Sequence, residues 1–121
     1  MPRRYLTENE AVSALNRGKE VEVFIGGFKD QGEAFIRWAS FSKNGNEYIG
    51  RLWEAADEGG TDYLDVYSFR PKSGEWDVPE KEVTASSLEE VFSLLNCALG
   101  GIVNHGMVQD EYAEFKAAHN K

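Results

Sequence analysis

One cysteine, two histidines and a run of carboxylates are the side chains here whose types could do chemistry. Cys97 with His105 and a carboxylate would make a nucleophilic centre, because a nearby imidazole can draw the proton from a thiol. Cys97, however, lies inside Leu94-Leu95-Asn96-Cys97-Ala98-Leu99, in mid-helix and away from the N-terminal dipole that lowers a thiol pKa. It reads as a small hydrophobe, buried or half-buried. Cys97, His105 and His119 also lack the close-pair spacing of a zinc set, and His119 stands where a C-terminus frays. The acids at 54, 57, 58, 62 and 65, with Gly59-Gly60 among them, do not follow the alternate-position pattern of a calcium loop. A chain with twenty-one acids always supplies some carboxylate pair, so a pair for glycoside or proton-transfer chemistry means little without a pocket. Gly26-Gly27 follows a strand but precedes neither a helix nor a Lys-Ser/Thr pattern, and reads as a bulge or turn rather than a phosphate loop. The expectation is a chain without catalytic, metal or cofactor site.

Trp38, Trp53 and Trp76, with Tyr48, Tyr63 and Tyr67, could stack nucleic-acid bases. Charge argues against that use. The chain carries a formal charge of −8, unevenly placed: eight Lys/Arg against seven Asp/Glu in residues 1–53, then five against fourteen in 54–121. Such a field disfavours nucleic acid and anionic lipid and favours a basic protein partner. Solubility alone also accounts for acidity of this kind.

The elements that position these residues start from the hairpin Glu33–Glu54. Asn44-Gly45 between two β-rich runs is a strong hairpin signal. A turn centred there sets Phe41 opposite Tyr48, Ile36 opposite Trp53, and Trp38 opposite Arg51 as a cation–π pair. Both faces carry large apolar residues, so either both are covered or one is a binding surface. Ahead of the hairpin, Thr7-x-x-Glu10 is a capping box for a helix ended by Gly18. Glu20–Ile25 then alternates as a strand, with Val21, Val23 and Ile25 on one face. After the hairpin, Glu54–Asp62 is an acidic loop and Tyr63–Arg70 a strand ended by Pro71. Trp76–Val78 is a short edge strand limited by Pro79. Ser87-x-x-Glu90, or the neighbouring Ser86 with Glu89, starts a second helix through Leu99, ended by Gly100-Gly101. Ile102–Gly106 is a connection. A third helix runs from about Val108 to Ala118 with an apolar stripe of Val108, Tyr112 and Phe115.

This order predicts one α+β domain over 1–121: an antiparallel four- to five-stranded meander sheet with an N-terminal helix and two C-terminal helices packed on it. The second helix lies across one sheet face, and the first or third covers more of that face or wraps an edge. A single cysteine allows no internal disulfide and fits a reducing cytoplasm. No apolar run approaches the roughly 20 residues of a membrane helix, and MPRRYLTENE has no apolar core of a secretory signal.

Size, acidity, the lone Cys97, a sheet of hairpins, and a Tyr-rich fourth strand leading to Ser86-Ser87-Leu88-Glu89-Glu90-Val91 together resemble the immunity proteins of bacterial polymorphic and contact-dependent toxin systems. The resemblance covers the general layout and no diagnostic motif. It implies a cytoplasmic inhibitor that neutralises a cognate toxin by occluding its active or target-binding surface. The contacts expected for a basic toxin domain are Asp57, Glu58, Asp62 and Asp65, with Trp76 and Asp77 beside them; charge would speed capture and aromatics would anchor it. The alternative is a small ligand-binding or enzymatic domain with a pocket lined by Trp38, Tyr48, Trp53 and Tyr67.

Overall fold

The structure, a computed structural model, describes residues 5–59, 65–72, 74–76, 78–97 and 101–119, without the side chain of His119. Its elements are α1 (Glu8–Asn16), β1 (Val21–Asp30), β2 (Glu33–Asn44), β3 (Glu47–Ala56), a 3₁₀ turn (Val66–Ser68), β4 (Lys81–Ala85), α2 (Leu88–Leu94), β5 (Ile102–Asn104) and α3 (Val108–His119). The five strands form one antiparallel sheet in the order β4-β3-β2-β1-β5. The fold is thus α+β, with one N-terminal and two C-terminal helices. Four strands follow in meander order, and β5 returns to the free edge of β1.

Both faces of the central hairpin are covered. On one, Val21, Val23, Ala39 and Phe41 pack against Ala11, Ala14 and Leu15 of α1 and against Leu88, Val91 and Phe92 of α2. On the other, Ile36, Trp38 and Ala55 pack beneath Val66, Phe69, Val108 and Tyr112. Helix α3 therefore sits on the face opposite α1 and α2, not on the same face or an edge. Its approach explains Gly27, where a Cβ would stand 2.6 Å from Phe115 Cζ.

The hairpin turn is centred on Gly45-Asn46, one position later than Asn44-Gly45. Gly45 has φ +63° and Asn46 is not in the positive region, the pattern of a type II′ turn with glycine first. The shift moves each cross-strand pair by two residues and keeps each face intact. Phe41 lies opposite Gly50, Trp38 opposite Trp53, and Arg51 opposite Ser40. The expected Trp38–Arg51 contact is therefore replaced by an indole stack with ring centroids 6.4 Å apart, and Arg51 pairs with Glu82 at 2.8 Å.

Gly26-Gly27 belongs to a bulge: the β1–β2 register slips between Phe24 and Gly26. That throws Ile25 outward, 41% exposed, instead of onto the face of Val21 and Val23. The strand then continues to Gln31-Gly32, both at positive φ (53° and 83°), a tight hairpin turn of type I′ character.

Three assignments change. The described part of Tyr63–Arg70 is no strand. Val66 and Phe69 are both buried in one core; alternation would send positions three apart to opposite faces, whereas a 3₁₀ turn aligns i with i+3. The edge strand falls at Lys81–Ala85 rather than Trp76–Val78, pairing with Tyr48–Leu52 of β3. Within the expected connection, Ile102–Asn104 forms β5, and Leu6 closes its outer side (Leu6 N–H to Ile102 O, 2.7 Å).

The helix ends follow local chemistry. The Thr7–Glu10 capping box forms in full, and Ser87, not Ser86, caps α2 by accepting from Glu90 N–H. Helix α2 stops earlier than expected. Asn96 takes φ +58°, its N–H donates to Ser93 O, and Cys97 N–H donates to Phe92 O. That is a Schellman ending built on asparagine in place of glycine.

Candidate functional site

Helix α3 and the 3₁₀ turn leave one end of their sheet face open. There a cleft of about 230 Å³ forms between β1–β3, the 3₁₀ turn, the segment around Trp76 and the β5–α3 connection. Its floor is set by alternation: Glu22, Trp38, Ser40 and Trp53 are same-face positions on three adjacent strands. Trp38 is buried, and Trp53 stacks on it while its indole N–H donates to Ser40 Oγ at 2.8 Å. That hydrogen bond fixes the ring. Tyr67 meets Trp38 edge-on at 6.2 Å, and Trp76 and Val78 stand at the rim, 55% and 47% exposed.

Glu22 is 1% exposed and would cost several kcal/mol if left without partners. It has three. The Tyr67 hydroxyl donates at 2.6 Å to Oε1, Gly106 N–H donates at 2.9 Å, and His105 Nδ1 lies 3.1 Å from Oε2. His105 also stacks on the Tyr67 ring, centroids 5.4 Å apart. Burial and the Glu22 carboxylate together hold the Tyr67 phenol well above its ordinary pKa of 10.0. No hydrogen bond joins His105 to the Ser40 hydroxyl among the described residues, so the cluster holds an imidazole and a carboxylate without a bonded nucleophile.

Apart from His105, every titratable lining side chain is a carboxylic acid or the Tyr67 phenol. Glu20, Glu22, Glu54 and Glu75 contribute to the walls, and no Lys or Arg does. Glu54 contributes from its backbone side, since its carboxylate pairs with Arg37 at 2.6 Å on the opposite face. Beyond Glu20 a more open depression of about 580 Å³ carries Arg17 and Lys19.

Among the residues expected to contact a partner, Trp76 lines this cleft. Asp57 is turned inward: the Tyr112 hydroxyl donates to it and the Lys116 ammonium lies 3.4 Å away. This contact and burial push the Tyr112 phenol above its ordinary range. Glu58 is exposed and accepts from Arg70 N–H at 2.7 Å, and Asp65 is exposed ahead of the 3₁₀ turn. Asp62 and Asp77 lie outside the described residues, as does Tyr63. Of the pocket-lining aromatics expected, Trp38, Trp53 and Tyr67 come together, while Tyr48 packs on the other face. Glu22, His105 and Ser40 were not singled out together by the sequence.

Cys97 packs half-buried against the α1–α2 core, and burial pushes its thiol pKa up, which suits an inert side chain. Among the described residues no three His, Cys, Asp or Glu side chains are grouped to hold a metal ion, and no helix is long and apolar enough to cross a membrane. The chain matches no protein-family model, and no curated protein or solved structure is significantly similar to it.

Proposed function

We propose that this protein is an acidic inhibitor of the immunity-protein kind, which binds a basic bacterial toxin domain in the cytoplasm and occludes its working surface. One observation carries the reading. Of the six exposed large hydrophobics among the described residues, Tyr67, Trp76 and Val78 line the same cleft, and its charged walls are acidic. Scattered apolar residues need no explanation, but a Trp/Tyr cluster with a charged rim is how an interface hot spot is built. The formal charge of −8 would add long-range attraction for a basic partner. Capture from nuclease-treated extract tests this, followed by adding the protein to the captured partner. Support is a single basic protein held near one-to-one, released at high salt, and inhibited on addition of this chain. Failure to retain any basic protein, or retention without inhibition, rejects it.

A second reading, a small ligand-binding or enzymatic domain, is favoured by the buried Glu22 with His105 and Tyr67 at the cleft floor. Size weighs against it: about 230 Å³ lies below the roughly 300–1,000 Å³ of sites for drug-sized ligands. A thermal shift with small molecules and no protein partner would reverse the ranking.

A further inference from the structure

We propose that the cleft is a receptor for a guanidinium group, supplied by an arginine side chain of the protein partner. The proposal rests on the partner-binding reading above and says what the cleft takes. Three features converge. The first is shape: a cleft of about 230 Å³ has room for one long side chain, not for a nucleotide or a peptide segment. The second is the wall chemistry. Trp53 is held by its indole N–H on Ser40, and Trp76 is half open to solvent; indole faces attract cations, and a planar guanidinium best of all. The third is charge. Carboxylates of Glu20, Glu22 and Glu75 lie around the cleft with no Lys or Arg among its lining residues, which repels phosphate and carboxylate ligands and draws a cation in.

Glu22 cannot be the main acceptor, because Tyr67 and Gly106 already donate to it and His105 Nδ1 lies 3.1 Å from its other oxygen. Glu20 can: it is exposed and makes no side-chain hydrogen bond or ion pair among the described residues. Glu20 also borders the adjoining depression, where Arg17 and Lys19 disfavour a cation, so the cleft side of Glu20 is the side open to a guanidinium. The chain already holds one guanidinium in the same way: Arg37 lies 4.4 Å over the Phe28 ring while pairing with Glu54.

The test uses the full chain, ¹⁵N-labelled, at low ionic strength. N-acetyl-argininamide is titrated and compared with the citrulline analogue, which has the same shape and no charge, and with N-acetyl-lysinamide. The indole N–H signals of Trp53 and Trp76 should move with the arginine probe, with a dissociation constant on the order of 1–10 mM. The citrulline and lysine probes should bind about tenfold more weakly. Trp76→Ala and Glu20→Gln, both at exposed positions, should each weaken the arginine probe several-fold, whereas Glu89→Gln on α2, across the sheet, should not. Equal shifts from the neutral probe, equal shifts from lysine, or no shift at all would each overturn the proposal. The two readings fail separately. A basic protein captured and inhibited equally well by wild type and Trp76→Ala keeps the inhibitor function and removes the cleft from it. Arginine-probe binding with no partner captured leaves the receptor and removes the inhibitor.

Discussion

Gly50 shows how tightly one residue can be constrained by its neighbours. It stands where β3 passes under α2, and a Cβ there would lie 2.3 Å from Val91 Cγ1 and 2.9 Å from Leu95 Cδ1. No flexible surface chain can yield, so Gly50→Ala should lower stability by about 1–3 kcal/mol, read as a lower urea midpoint with unchanged slope. Two phenols give a second residue-scale prediction. Tyr67 and Tyr112 each donate to a carboxylate and are partly desolvated, which raises both pKa values above 10.0. Their contribution to stability is fully present below the unfolded phenol pKa. It is lost as pH rises beyond about 10, because the unfolded chain releases protons that the folded chain keeps. An ultraviolet titration should show these two tyrosines ionising only with alkaline unfolding, and Tyr67→Phe should remove one late phenol. Normal titration of all five tyrosines would contradict the hydrogen bonds to Glu22 and Asp57. Legibility in sequence differed sharply between residues at the cleft. Trp76 stood out by type. Glu22 did not, because a charged residue between Val21 and Val23 reads as solvent-facing. Only with His105 and Tyr67 brought over the same strand does that position become buried. The signal that existed was Phe24 next on the same face, a hint that the polar side of β1 was not wholly polar.

At the scale of elements, local chemistry was readable and long-range pairing was not. Both N-caps and the Val108–Tyr112–Phe115 stripe follow from patterns within a few residues, and they form. Strands β4 and β5 were hidden for separable reasons. Lys81-Glu82-Val83-Thr84-Ala85 carries charges that suit an exposed edge, and β5 has only three residues whose role is set by β1. Residues 66–69 look like alternation yet fold as a 3₁₀ turn, because the covered sheet face demands two apolar plugs three positions apart. The β1–β2 hairpin offers an element-scale test. Gln31 occupies the left-handed region at φ 53°, where asparagine is better tolerated than glutamine. The turn is exposed, so Gln31→Asn should raise stability by about 0.5 kcal/mol, with Gln31→Val lowering it by about 1 kcal/mol or more. A chemical denaturation series on the two variants and wild type would show the order. The helix α2 ending gives the matching case: Asn96→Ala should cost about 1 kcal/mol, while Asn96→Gly should be close to neutral.

The whole molecule carries twenty-one acids against thirteen Lys/Arg, and on the proposed inhibitor reading that excess would act on folding and on capture with opposite signs. Its ion pairs, such as Arg51–Glu82, Arg70–Glu33 and Lys72–Asp30, are surface pairs with half-exposed partners. Such pairs are worth little each, so screening them costs the fold little. The remaining negative charges repel one another in the folded state, where they are closest. Raising sodium chloride from about 0.02 M to 0.2 M shortens the Debye length from about 20 Å to 7 Å, and should raise the melting temperature by a few degrees. The same change should weaken capture of a basic partner, mainly through a slower association rate. Measuring both on one preparation separates the two origins of the acidity. A melting temperature that rises while the association rate falls means the negative field serves binding at a cost to folding. A melting temperature that rises with an unchanged association rate would mean that the charge serves solubility alone. Partner recognition would then have to rest on the Trp53–Trp76 cleft without electrostatic steering.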